Sequence, residues 1–105
     1  MFSLKYYFDA VYCDVHDALV RCWKKIVDAY MAGKITEEEF NYYSHEMGKP
    51  LTWTQDGKTY TFTLEYAIEI NEKMRDPSFA SQMQAIWRQA AQERYDRIYN
   101  EVPDP

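Results

Sequence analysis

The sequence predicts a mainly α, compact four-helix domain with a small β-hairpin between its second and third helices (α-α-ββ-α-α). Three observations carry that prediction. Apolar residues recur at helical spacing over four segments. Capping residues, Gly or Pro stand at the segment boundaries. One stretch, "LTWTQDGKTYTFT", switches to strand alternation around Asp56-Gly57. With 105 residues the chain has room for one modest core, so a single domain is expected.

The first helix is expected over residues 3–32, which hold no Gly or Pro. One apolar stripe runs Leu4, Phe8, Val11, Val15, Leu19, Cys22, Ile26, Ala29. A second runs Tyr12, His16, Val20, Trp23, Val27, Tyr30. The polar face carries opposite charges four apart, Asp17 with Arg21 and Lys24 with Asp28, a spacing that supports ion pairs. A helix apolar over more than half its circumference is covered on two sides. Either this helix is central to the core, wrapped by the others, or its second stripe is an interface, and the expectation from the latter is a homodimer built on Tyr12, His16, Trp23 and Val27.

Gly33 ends this helix, and Thr36 with Glu37, Glu38 and Glu39 caps the next, residues 36–47. The intervening "DAYMAGKITEEEF" resembles an EF-hand loop, with Asp28 first, Gly33 sixth, Ile35 eighth and Glu39 twelfth. Calcium in such a loop also takes side-chain oxygens at the third and fifth positions. Tyr30 and Ala32 stand there, so the stretch reads as a plain helical corner.

The hairpin is expected over residues 51–62, because Asp-Gly between β-branched and aromatic runs favours a tight two-residue turn. Thr63 caps a third helix, residues 64–74. Asp76-Pro77 is the N-cap and first residue of a fourth, residues 77–100. Its apolar stripe is Phe79, Met83, Ile86, Trp87, Ala90, Ala91, Tyr95 and Ile98. Residues 101–105 read as a frayed tail.

Cys13 and Cys22 are the only cysteines. On one continuous helix they lie roughly 13 Å apart on opposite faces, beyond the roughly 7 Å Cα separation that a disulfide tolerates. They are expected to be two buried thiols, and His16 a core histidine with one hydrogen bond. Asp9, Cys13, His16 and Asp17 cluster on the same helix, but a structural zinc site takes four ligands from two segments, and the only other histidine is His45. No glycine-rich phosphate loop, nucleophile elbow or metalloprotease motif occurs. The expectation is a protein without resident cofactor, without bound metal and without catalytic residues.

The net charge of −5 has the wrong sign for anionic membranes and nucleic acid. Arg88, Arg94 and Arg97 do not share one edge of the last helix, since Arg88 and Arg97 point about 180° apart. Acid is better organised. Glu65, Glu69, Glu72 and Asp76 recur four, three and four apart, an acidic ridge suited to a protein partner with a basic surface. Leu64, Ala67, Ile68 and Met74 are assigned to other faces. Tyr42 and Tyr43, in a chain with ten tyrosines, are further partner-binding candidates. Together these features suggest a cytoplasmic protein-binding inhibitor or adaptor, of the kind mobile elements direct at host machinery. The alternatives are a DNA-binding regulator that uses the hairpin and last helix, and a small enzyme.

Overall fold

The computed structural model describes residues 4–105, apart from the side chains of Leu4, Lys5 and Phe8. The predicted helix start at Ser3 lies outside the described residues, and so do the side chains of Leu4 and Phe8 in the first stripe. The architecture is mainly α. Its elements run α1 (Leu4–Asp14), α2 (His16–Met31), α3 (Glu37–Met47), β1 (Thr52–Gln55), β2 (Lys58–Thr61), α4 (Leu64–Ile70), a 3₁₀ turn (Lys73–Arg75) and α5 (Pro77–Glu101). The described residues thus hold five α-helices rather than four, with the hairpin between α3 and α4.

The additional helix comes from a break at Val15, which takes φ −108° and ψ 14°. That lies near the sparsely allowed bridge region, and valine is among the residues that lose side-chain freedom in a helix. The carbonyl of Val15 still accepts the Leu19 N–H at 3.1 Å and so opens α2. The chain also divides here into two compact units. One holds α1 with residues 50–91, and the other residues 15–49 with 92–105. The two stripes predicted for one rod are therefore shared between two units.

The first unit is built around aromatic rings. Asp56 (φ 54°) and Gly57 (φ 76°) both occupy the left-handed region, the conformation that a two-residue turn with the strands' own twist requires. Thr52 thereby faces Thr61, and Trp53 faces Tyr60. Trp53 stacks on Tyr60 at 5.9 Å and meets Trp87 of α5 edge-on at 6.1 Å, while Phe62 meets Trp87 at 5.5 Å. Val11, Leu51, Ile70, Met74, Ala80, Met83 and Ala91 complete the buried set. Asp14 of α1 accepts from Arg88 Nε at 2.9 Å.

The third predicted helix is shorter than expected. Beyond Ile70 the hydrogen bonds tighten to i→i+3 spacing, as in Arg75 N–H to Glu72 O at 3.2 Å and Asp76 N–H to Lys73 O at 3.1 Å. The run stops altogether before Pro77, whose ring disfavours helical geometry in the residue before it. Asp76 accordingly adopts φ −77° and ψ 116°. Its carboxylate accepts the Ser78 N–H at 3.0 Å and caps α5.

In the second unit, the stretch that resembles a calcium loop is a helical corner. Gly33 turns the chain at φ 72°, and Ile35 is buried behind it. Thr36 Oγ1 accepts from Glu39 N–H at 3.1 Å, while the Glu39 carboxylate accepts from Thr36 N–H at 3.0 Å. This reciprocal box satisfies two donors that the helix start leaves open. Replacing Thr36 with Ala is expected to cost about 1 kcal/mol. The midpoint of a urea unfolding curve reads the loss, and an unchanged midpoint would show the cap to be redundant.

Cys22, Ile26 and Ala29 form the buried face of α2, joined by Val15, Tyr43, Tyr95 and Ile98. The Cys22 thiol donates to Met47 Sδ at 3.4 Å. Two of the predicted placements on the first helix are corrected. Cys13 is exposed, and so is His16, because the second stripe faces away from the buried set. The predicted frayed tail is also corrected. Glu101 remains helical, and Val102 is buried with its N–H on Ile98 O at 3.0 Å.

Candidate functional site

The outer face of α4 gathers the surface features most in need of explanation. Thr63 Oγ1 accepts the Tyr66 N–H at 3.1 Å and starts the helix. Inward, Ile70 is buried, and the Tyr66 ring lies 5.3 Å from Trp53, 5.8 Å from Phe62 and 5.9 Å from Tyr60. Burial pushes the Tyr66 phenol up to about 12, with Tyr60 and Glu69 adding to the rise. This side of α4 is thus anchored in the aromatic cluster.

Outward, Leu64 is 78% exposed and Ile68 is 68% exposed. Four residues apart on a helix, they are offset by only about 40°, and Glu65 and Glu69 follow about 100° beyond them. Glu65, Glu69 and Glu72 are all exposed, and Glu72 lies 3.6 Å from Arg75. The ridge predicted along one helical edge therefore holds for Glu65 and Glu69, with Glu72 on the following turn. Asp76 leaves it to cap α5. Leu64 and Ile68, assigned by the sequence to another face, stand beside the carboxylates in water.

The tyrosine candidates divide. Tyr42 is exposed, but its hydroxyl donates to Glu46 Oε1 at 3.2 Å. Tyr43 is buried, meets Tyr42 edge-on at 5.3 Å, and points its hydroxyl toward Glu101 O at 3.5 Å. Glu46 is a buried carboxylate that also takes Lys49 Nζ at 2.6 Å and lies 4.0 Å from Arg97. The Lys49 hydrogen bond, foremost, holds the Glu46 carboxyl below the usual glutamate range, against the opposing effect of burial. Tyr42 and Tyr43 thus belong to a structural cluster within their unit.

The residues predicted for a dimer face are split, Tyr12 falling in one unit and His16, Trp23 and Val27 in the other. Trp23 and Tyr30 both lean on Phe40, at 5.8 and 4.8 Å. Of the predicted charge pairs, Lys24 with Asp28 forms at 2.6 Å. Arg21 instead lies over the Tyr99 ring, 4.8 Å from its centre.

Two arginines of the last helix are engaged with carboxylates, Arg88 with Asp14 at 2.9 Å and Arg97 with Glu101 at 3.4 Å. Lys58 and the pair Arg94 and Arg97 lie in different units. Among the described residues, no helix is long and apolar enough to cross a membrane, and no three His, Cys, Asp or Glu side chains are grouped to hold a metal ion. Comparison of the chain with protein-family models, with curated proteins and with solved structures finds no match.

Proposed function

We propose that this protein acts by binding another protein, as an inhibitor or adaptor, through the outer face of α4. The observation that supports this reading is the exposure of Leu64 and Ile68 beside Glu65 and Glu69 on a helix whose opposite side is fixed in an aromatic core. Burying two such aliphatic side chains yields about 1.5–3 kcal/mol each. A face seven residues long spans only about 10 Å. These magnitudes favour a modest docking surface over an obligate interface. The partner this chemistry fits has an apolar cleft for two side chains one turn apart, bordered on one flank by Lys or Arg. The carboxylates would then steer the encounter and select against acidic competitors.

Affinity capture with four forms of the protein tests this. Wild type, Leu64→Glu/Ile68→Glu, Glu65→Lys/Glu69→Lys and the control Met31→Glu, at an exposed position of the other unit, are compared for the proteins each retains. Proteins held through α4 should be lost from both α4 variants and kept by the control. All four should melt within about 4–8 °C of one another, because each substitution on a solvated face shifts stability by up to about 0.5 kcal/mol and two add to about 1 kcal/mol. Retention of the same bound proteins by the α4 variants would overturn the proposal.

A further inference from the structure

A cavity of about 230 Å³ in the second unit is lined by Arg21, Lys24, Lys25, Asp28, Tyr99, Asp104 and Pro105. In a chain of net charge −5 this is a local concentration of cations. Their commitments differ. Lys24 is neutralised by Asp28 at 2.6 Å. Lys25, with its side chain only 13% exposed, donates to Tyr99 O at 2.7 Å and lies 4.2 Å from the centre of the Tyr99 ring. Arg21 lies 4.8 Å from the same ring centre and makes no ion pair among the described residues. Its planar fork of donors, the group best matched to phosphate, is therefore unspent.

One anion already approaches. Asp104 Oδ1 lies 3.6 Å from Lys25 Nζ, beyond good hydrogen-bonding distance, and its side chain is 95% exposed. It is a loosely held internal carboxylate at the edge of a cationic cavity. Val102, buried two residues earlier, keeps that carboxylate close.

We infer that the Arg21–Lys25–Tyr99 cavity is a binding site for a single phosphate-type oxyanion, for which the Asp104 carboxylate competes. The size of the cavity sets the class. It falls below the 300–1,000 Å³ typical of sites that enclose a drug-sized ligand, so it takes one phosphate group rather than a nucleotide. Arg21 and Lys25 both approach the Tyr99 ring and line the same cavity, and an oxyanion seated there would be held by charge-assisted bonds of about 2.7–2.9 Å. A phosphate near its second ionisation carries about −1.5 to −2 and therefore outcompetes a lone carboxylate for two cations. The phosphate could belong to free inorganic phosphate or to a phosphorylated side chain of another protein.

Titration with inorganic phosphate at constant ionic strength, followed by NMR shifts of the Arg21 guanidinium and the Tyr99 ring, tests the site. Phenyl phosphate and a phosphoserine peptide form parallel arms that separate the sources, and acetate measures the preference for phosphate over carboxylate. Wild type should saturate at millimolar phosphate. Arg21→Gln, a change at an exposed position, should weaken binding about tenfold or more, the loss of a charge-assisted bond. Asp104→Asn should tighten it about two- to fivefold, the scale of one exposed ion pair. The hairpin control Lys58→Gln should bind as wild type does. Absence of saturation by 50 mM phosphate, which is about ten times the expected constant, would overturn the inference. So would equal affinities for wild type and Arg21→Gln, or binding of acetate as tight as that of phosphate.

Discussion

Replacing Trp87 by Ala is expected to destabilise the protein by about 3–5 kcal/mol. Trp87 is the largest fully buried side chain, with 0% of its surface exposed. It is also where elements distant in sequence meet, touching Trp53 of β1 at 6.1 Å and Phe62 just beyond β2 at 5.5 Å. Removing the indole loses its transfer free energy and leaves a cavity walled by rigid rings, which cannot collapse as aliphatic chains do. A loss of that size is a fifth or more of the roughly 5–15 kcal/mol that keeps a domain folded. Circular dichroism during urea unfolding measures it, and Trp87→Phe should lose clearly less because most of the volume stays filled. A cost below about 1 kcal/mol for the Ala variant would mean that the hairpin does not depend on α5 for its support.

The elements that could be read from the letters were those fixed by local chemistry. Asp56-Gly57 needs only its own backbone freedom to form the turn, and the Thr36–Glu39 box closes within four residues. Asp76-Pro77 starts α5 for reasons contained in two residues. What could not be read depended on partners distant in the sequence. The break at Val15 has no Gly or Pro to announce it, and it falls where the chain passes from one compact unit to the other. Cys13 and His16 are exposed, although the expectation from one continuous helix is that both are buried.

The candidate site follows the same rule. Glu65 and Glu69 share an exposed edge, as their spacing requires. The exposure of Leu64 and Ile68 depends instead on Tyr66 and Ile70 having taken the inward positions. The sequence offers four large apolar side chains on α4, besides Ala67, for one buried face. Which pair goes in is decided by Trp53 and Tyr60, brought to α4 by the hairpin. The cavity at Arg21 and Lys25 is less accessible still to a local reading, because Tyr99 and Asp104 lie more than seventy residues away along the chain.

The two cysteines are expected to react with a thiol reagent at rates differing by more than about 100-fold at pH 8. Cys13 is exposed. Cys22 is fully buried, and that burial, foremost, pushes its thiol up to about 11, with Asp96 reinforcing the rise and Lys25 opposing it. The thiolate is the nucleophile, and at pH 8 a group of pKa about 11 supplies roughly a thousandth of itself in that form. Restricted access slows Cys22 further, so its labelling should track opening of the second unit. In Cys13→Ser the fast phase should vanish and the slow one remain, and urea should accelerate the slow phase. The sign of the accompanying pH dependence is fixed. Above pH 9 the unfolded chain releases the Cys22 proton while the folded chain keeps it, so this group's contribution to stability declines as pH rises from about 9 to about 11. Labelling of both thiols in one fast phase in the folded protein would place Cys22 at the surface, and the packing of α2 against α3 through Cys22 and Met47 would have to be given up.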